Sequence, residues 1–179
     1  MPGAAEQQAD DLILPAAAWS AALAAAEAAG DYRPTWAYTW PAGERLAADL
    51  PQLNDCRGRQ VCDLGCGRGV LGLQALRSAA ASVVFADASP HPLAWVDAVL
   101  QANAWQDRGR TLVHRWGTAL PPCDLVLGGD ILYRPECFVD LLDSLAAAAR
   151  QGAEILLSDP RTELEQELPG LAASRGLSW

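Results

Sequence analysis

The 179-residue chain contains no lysine; all 13 of its basic residues are arginine. That absence removes the phosphate-binding loop G-x-x-x-x-G-K-[ST], which depends on its lysine. Only two histidines occur, His91 and His114, far apart in sequence. The five cysteines form no C-x-x-C pair. No metal-type spacing results, and no metal site is expected. No apolar run is long enough to span a bilayer, and no charged segment followed by an apolar one opens the chain. A cytoplasmic, reducing setting with small buried cysteines is the expectation, without disulfides, signal peptide or membrane contact. Cations are outnumbered, giving a formal net charge of −9. Such a chain repels a phosphate backbone unless its arginines cluster. Arg57, Arg59 and Arg68 lie close together, as do Arg108, Arg110 and Arg115, but neither group is interleaved with aromatics. Both read as solvated loops, and no nucleic-acid partner is expected. The residue bias itself reads as drift of a GC-rich genome.

Apolar residues make up 51% of the chain, enough to bury one core. Strand-like and helix-like patterns alternate. Helices are predicted over residues 16–29, 41–50 (with Pro51 beyond the end), 69–79, 91–105, 136–150 and 162–175, the last bent or interrupted at Pro169. Strands are predicted over 59–64, 82–86, 111–115, 124–127 and 154–157. This alternation argues for an α/β fold, a mostly parallel sheet with helices on both faces. We expect one domain over 1–179: an N-terminal helical segment, 1–50, covering a cofactor, and a sheet core, 59–179. A monomer or weak dimer is expected.

The most informative stretch is Val61-Cys62-Asp63-Leu64-Gly65-Cys66-Gly67-Arg68-Gly69. A strand runs straight into glycines at alternate positions, and a helical pattern begins at Val70. Such a corner lets a ligand approach bare backbone. The spacing is not the G-x-G-x-x-G of a dinucleotide site. A second apolar run, Ser82 to Ala86, ends in Asp87. A carboxylate about 20 residues past a glycine loop can accept ribose hydroxyls. The alternative for Asp87 is a cap for the helix after Pro90, a role that Ser89 fills equally well.

Asp63-x-Gly65-x-Gly67-x-Gly69 resembles the first motif of the class I S-adenosylmethionine-dependent methyltransferases, whose fold is Rossmann-like. Thr35-Trp36-Ala37-Tyr38-Thr39-Trp40-Pro41-Ala42-Gly43, followed by Leu46-Ala47, resembles the WA-x-x-WP-x-G-x-x-LA segment of one branch, the protein-lysine and nicotinamide-methyltransferase-like family. Gly129-Asp130-Ile131-Leu132-Tyr133 resembles its D-x-x-Y motif. Asn103, in the predicted helix before the third strand, and Arg115-Trp116 match further positions. Ser158-Asp159-Pro160-Arg161 resembles the DPGR of a bacterial branch, with the glycine absent.

The resemblance implies S-adenosylmethionine as cofactor, with S-adenosylhomocysteine as its product. Asp63, Gly65, Cys66, Gly67 and Gly69 would hold its methionine end, and Asp87 and Ala88 its ribose. Trp116 would pack on the adenine, and Trp40 and Gly129 would complete the site. Asp130 and Tyr133 would line the acceptor side. The family sheet has seven strands, the last two an antiparallel hairpin. Five are accounted for here, so the C-terminal strands are expected to be missing, whether this is a short form or a fragment.

The implied chemistry suits these residue types. Methyl transfer from a sulfonium needs alignment and exclusion of water. A lysine acceptor, with a reference pKa of about 10.4, must first lose a proton. Asp130 could hold the ammonium, Tyr133 supply a second oxygen, and Trp36 and Trp40 present aromatic faces to a cation. Plainer readings stand beside these: Asp130 to Tyr133 as an ordinary turn, Trp36 as a core plug, Trp19, Trp95 and Trp105 as packing, His91 as a surface residue. The leading expectation is methyl transfer to a protein lysine. The alternatives are a small amine or hydroxyl acceptor, or a truncated module that binds cofactor without catalysis.

Overall fold

The computed structural model describes residues 12–31, 34–53, 56–161 and 164–178. Its centre is a five-stranded sheet: β1 (Gln60–Leu64), β2 (Ser82–Asp87), β3 (Gly109–Val113), β4 (Leu125–Gly129) and β5 (Glu154–Ser158). The order is β3-β2-β1-β4-β5, and every pairing is parallel. The helices are α1 (Ala16–Ala28), α2 (Pro41–Leu53), α3 (Val70–Arg77), α4 (Pro90–Ala102), α5 (Phe138–Ala149) and α6 (Leu164–Ala173). None is long and apolar enough to cross a membrane.

Period-two alternation along the strands divides the core into two layers. Val61, Val83, Phe85, Leu125 and Leu127 face α1 to α4. Cys62, Leu64, Ala86 and Val126 face α5 and α6. The inner strands β1 and β4 are almost wholly buried, as expected where helices cover both faces. Phe85 is fully buried, and its ring occupies the space that a side chain at Gly72 would need, so α3 lies close on the sheet.

Several boundaries differ from the sequence reading, three of them with a local cause. Strand β3 begins at Gly109, two residues early, because Gly109 and Arg110 pair with Val83 and Val84 of β2. Gly109 sits against Leu100, where any Cβ would collide. Helix α2 runs through Pro51 to Leu53. A proline this close to the end costs little of the backbone ladder, and Leu46, Ala47 and Leu50 anchor the helix below it. Helix α5 starts at Phe138 after a 3-10 turn, Pro135–Cys137. Helix α6 does include Pro169; Thr162, where the sequence places its start, lies outside the described residues.

Ser89 caps α4, its hydroxyl accepting from the His91 amide at 3.4 Å. Asp87 is thereby left for other partners. Asn103, at the end of α4, holds the segment before α1: its side chain accepts from the Ile13 amide at 2.9 Å and donates to the Ile13 carbonyl at 2.8 Å.

Candidate active site

The strand order reverses between β1 and β4, and in open α/β sheets ligands settle in the crevice at that point. Here the carboxyl ends of these strands, with the segment ahead of α2, enclose a cleft of about 760 Å³. Its lining brings together Trp40, Asp63, Gly65, Cys66, Gly67, Asp87, Ala88, Trp116 and Gly129, as well as Asp130 and Tyr133. Gly69 is not part of this lining. It stands at the start of α3 and backs onto Phe85 and Val96.

The loop after β1 needs its glycines. Gly65 and Gly67 have φ of 66° and 49°, in the left-handed region. A Cβ on Gly65 would lie 2.8 Å from Ile131 Cγ2, so the loop seats against the turn after β4.

Three carboxylates around the cleft are bound to backbone amides. Asp63, 2% exposed, accepts from the Gly72 amide at 2.8 Å and so caps α3 from the neighbouring strand. Burial pushes its pKa up to about 7; the Gly72 amide opposes this and the charge of Asp87 adds to it. Asp87 accepts from the Gly67 amide at 3.0 Å and the Ser89 amide at 2.9 Å. Burial raises it also, against the pull of those amides.

Asp130 has a φ of 55° and accepts from the Gly43 amide at 2.7 Å, capping α2 from the far side of the cleft. Burial raises its pKa; the Gly43 and Ala42 amides oppose this, while Asp159 adds to it. The pair Asp159 and Arg161 lies beside it. The Arg161 guanidinium reaches both Asp159 oxygens, and despite burial this holds Asp159 below its ordinary value.

The aromatic residues separate by depth. Trp36 is buried and donates from Nε1 to Asp31 at 3.3 Å. It both plugs the core and borders the cleft. Trp19 is set edge-on between Trp36 and Trp95, and the Arg68 guanidinium lies 4.6 Å from the Trp19 ring. Helix α1 is thus fastened to the glycine loop. Trp40 and Tyr133 are half exposed at the mouth. Trp40 Nε1 donates to the Thr35 carbonyl at 3.1 Å, and Tyr38 packs edge-on against it. His91 is partly covered, its ring 6.4 Å from that of Trp36. Cys62 and Cys66 are buried thiols, their pKa values pushed up by burial.

One member of each arginine group, Arg68 and Arg115, borders the cleft, while others are tied elsewhere. Arg59 pairs with Glu154 and donates to the Asp124 carbonyl, whereas Arg108 donates to the carbonyls of Leu76 and Ala80. Among the cleft residues that the sequence expectation does not name for the site is His114, buried just past β3. Its only signal is its place at the carboxyl end of a strand.

Among solved structures, the fold is similar to the ribosomal protein L11 methylase of Lactobacillus delbrueckii subsp. bulgaricus, with a TM-score of 0.58 at 17% identity over 74% of this chain and 66% of that one. It is also similar to the T. thermophilus 16S rRNA N2 G1207 methyltransferase in complex with AdoMet and guanosine, with a TM-score of 0.58 at 22% identity over 78% and 39%. At such identities the likeness concerns the fold. Among curated proteins, the electron transfer flavoprotein beta subunit lysine methyltransferase of Xenopus laevis is 30% identical over 131 residues, 71% of this chain and 52% of that protein. The ribosomal protein L11 methyltransferase of Methylococcus capsulatus is 32% identical over 122 residues, 68% and 40% respectively. The chain thus spans about half the length of the curated relatives it matches, or less. The lysine methyltransferase family profile matches residues 19–167, most of the chain, and the chain belongs to that family.

Proposed function

We propose that this chain binds S-adenosylmethionine and transfers its methyl group to the side-chain amine of a protein lysine. The observation that carries the reading is the shared cleft. A glycine loop and Asp87 stand on one side, with Asp130 and Tyr133 on the other, all at the switch point of the sheet. Relatives named for two protein substrates, electron transfer flavoprotein beta subunit and ribosomal protein L11, support a protein acceptor.

The residues present fit the cofactor. The cleft is of ligand size. The carboxylate of Asp87, held by two amides, faces it at the tip of β2, where ribose hydroxyls would be accepted. The Gly65–Gly67 loop, bare of side chains except for buried Cys66, would take the amino-acid end. Trp116, also in the lining, would take the base. When bound, the cofactor supplies an activated methyl on a sulfonium.

The remaining work belongs to the chain. Asp130, fixed by α2, would receive the lysine ammonium and hold the nitrogen after its proton is lost to solvent. Tyr133 would add an oxygen at the mouth. Trp40 and Tyr38 would shield the amine from water and favour a cation in their ring faces. Each of these groups positions or desolvates, which is what a displacement without covalent enzyme chemistry requires.

Calorimetric titration with S-adenosylhomocysteine, with Asp87→Ala as control, tests the cofactor half. One-to-one binding that the substitution abolishes is expected. Transfer of labelled methyl to lysine in a protein fraction tests the other half. A folded chain that binds nothing would refute the reading. Binding without transfer to any protein would favour a binding module or a small-molecule enzyme.

A further inference from the structure

Directly after β5, Asp159-Pro160-Arg161 sets a buried carboxylate and a cation beside Asp130. The Asp159 side chain is 7% exposed and that of Arg161 28%. The Arg161 guanidinium donates from Nε to Asp159 Oδ1 at 2.7 Å and from Nη2 to Oδ2. The Arg161 amide donates to the same Oδ1 at 3.0 Å. A fork of this kind fixes both side chains together. Pro160 and Arg161 border the cleft, as Asp130 does, while Asp159 is not part of its lining.

Backbone bonds press this corner onto Asp130. The Asp130 amide donates to the Ser158 carbonyl at 2.8 Å. The Ser158 hydroxyl donates to the Ala42 carbonyl at 2.9 Å, one residue before the glycine that binds Asp130. The Leu132 amide donates to Asp159. The turns after β4 and β5 and the start of α2 therefore meet around the Asp130 carboxylate.

The charges at this corner are two carboxylates, Asp130 and Asp159, and one guanidinium. Burial raises the Asp130 pKa; of the neighbouring charges, Asp159 adds to the rise and Arg161 opposes it. The other elements around the corner bring Glu44 on α2, Arg134 paired with Glu136 at 3.0 Å, and Arg68 on the Trp19 ring. Asp63 and Asp87 belong to the side of the glycine loop.

One net negative charge suits a lysine acceptor. It attracts the ammonium without fixing its proton. Two negative charges would hold that proton more firmly, and the nitrogen needs a free lone pair to take the methyl. With none, the ammonium would not be drawn in.

We infer that Arg161 is a positioning residue for methyl transfer: forked onto buried Asp159 beside the turn that carries Asp130, it cancels the second carboxylate, so the acceptor wall offers the incoming amine one net negative charge. This inference rests on the lysine-methylation reading above and adds a residue that acts through Asp130.

The test is a carbon-13 titration of the Asp130 carboxyl in the full chain, its signal identified by its loss in Asp130→Asn. The proteins compared are the wild type, Arg161→Gln, Asp159→Asn, their double variant and Arg161→Lys, with folding checked by circular dichroism. Arg161→Gln should raise the Asp130 midpoint by about 1 pH unit, and Asp159→Asn should lower it by a similar amount. The double variant should return it close to wild type. Arg161→Lys keeps the charge but loses the fork, and should titrate as wild type. Should Arg161→Gln not fold, the direction of the Asp159→Asn shift decides. Midpoints that do not move overturn the inference. So does an Arg161→Lys protein that titrates like Arg161→Gln, since geometry and not charge would then be at work.

The same variants are assayed for methyl transfer from labelled S-adenosylmethionine to ribosomal protein L11 and to electron transfer flavoprotein beta subunit. The pH of half-maximal kcat, which reports the complex, should rise in Arg161→Gln and fall in Asp159→Asn. Transfer whose pH profile no variant moves overturns this inference and leaves the lysine reading intact. No transfer by the wild type to these proteins or to the protein fraction above removes the lysine reading, and this inference with it.

Discussion

The amide of Gly43 donates to Asp130 Oδ2 at 2.7 Å across 87 residues of sequence. The start of α2 is thereby held against the turn after β4. Behind this bond the two backbones nearly touch: a Cβ on Gly129 would stand 2.6 Å from the Gly43 Cα. One wall of the cleft is set by a bond between the segment ahead of the sheet and the tip of its fourth strand.

That contact is one-sided. Gly129→Ala drives a methyl into backbone and should cost about 3 kcal/mol, the upper part of the overpacking range. Gly43→Ala meets Asp130 Oδ2 at 3.6 Å and Gly129 Cα at 3.7 Å, ordinary contacts. Within a helix it should be neutral or stabilising by up to about 0.5 kcal/mol. Urea denaturation midpoints of the two variants check this; equal losses would refute the asymmetry.

Asp130 caps a helix and also faces the acceptor side, and the two roles separate by substitution. Asp130→Asn keeps an acceptor for Gly43 and tolerates the left-handed backbone, so it should stay within about 1 kcal/mol of wild type. Asp130→Ala loses the cap and strains at a φ of 55°, and should lose about 2 kcal/mol. Both should bind S-adenosylhomocysteine and transfer no methyl. Full transfer by Asp130→Asn would remove the carboxylate from the chemistry.

Asp63 gives the fold a pH dependence of unusual sign. Its carboxyl titrates at about 7 in the folded chain, against 3.8 ordinarily. Between those values the folded state holds a proton that the unfolded state has released. Stability from this group is therefore highest below about pH 4, falls as pH rises to 7 and is level above. The fall amounts to at most about 4 kcal/mol. Asp63→Asn, which still accepts from Gly72, should lose this slope. Stability curves at pH 5 and 8 for both proteins measure it, and parallel curves would show that Asp63 titrates normally.

Trp19 joins α1 to the loop after β1 through Trp36, Trp95 and Arg68. Trp19→Ala should cost about 3 kcal/mol, as for other large aromatic deletions. Hydrogen exchange should quicken in α1 and in residues 65–69 while β4 and β5 stay protected. Uniform quickening would mean that the cluster supports the whole domain and not this corner.

The sheet was largely legible because its inner strands are short, mostly apolar runs followed by glycine: Val61 to Leu64, interrupted only by Asp63, and Leu125 to Leu127 read as buried strands. The edge strand β3 was less so. Gly109 and Arg110 have no strand preference and are extended only by pairing with β2. Asp63, Asp87 and Asp130, singled out from the sequence, do line the cleft, but their bonds to Gly72, Gly67 and Gly43 were not legible. The bond between Asp130 and Gly43 exists only because the sheet order brings β4 beside β1 and α2 against its end. His114 was hidden for the same reason. Nothing in Val113-His114-Arg115 announces its place in the cleft. Trp36 resolved a choice that sequence left even, since it is a core plug that also borders the cleft.

The tryptophan cluster should give the chain an optical signal from the cleft. Two ring pairs with centroids 5.6 and 5.1 Å apart, steeply inclined to each other, are close enough for their excited states to couple. The cation resting on the middle ring is Arg68, which sits within the glycine loop itself. A molecule that settled on that loop and displaced this charge should change the near-ultraviolet circular dichroism and the emission of the unlabelled chain.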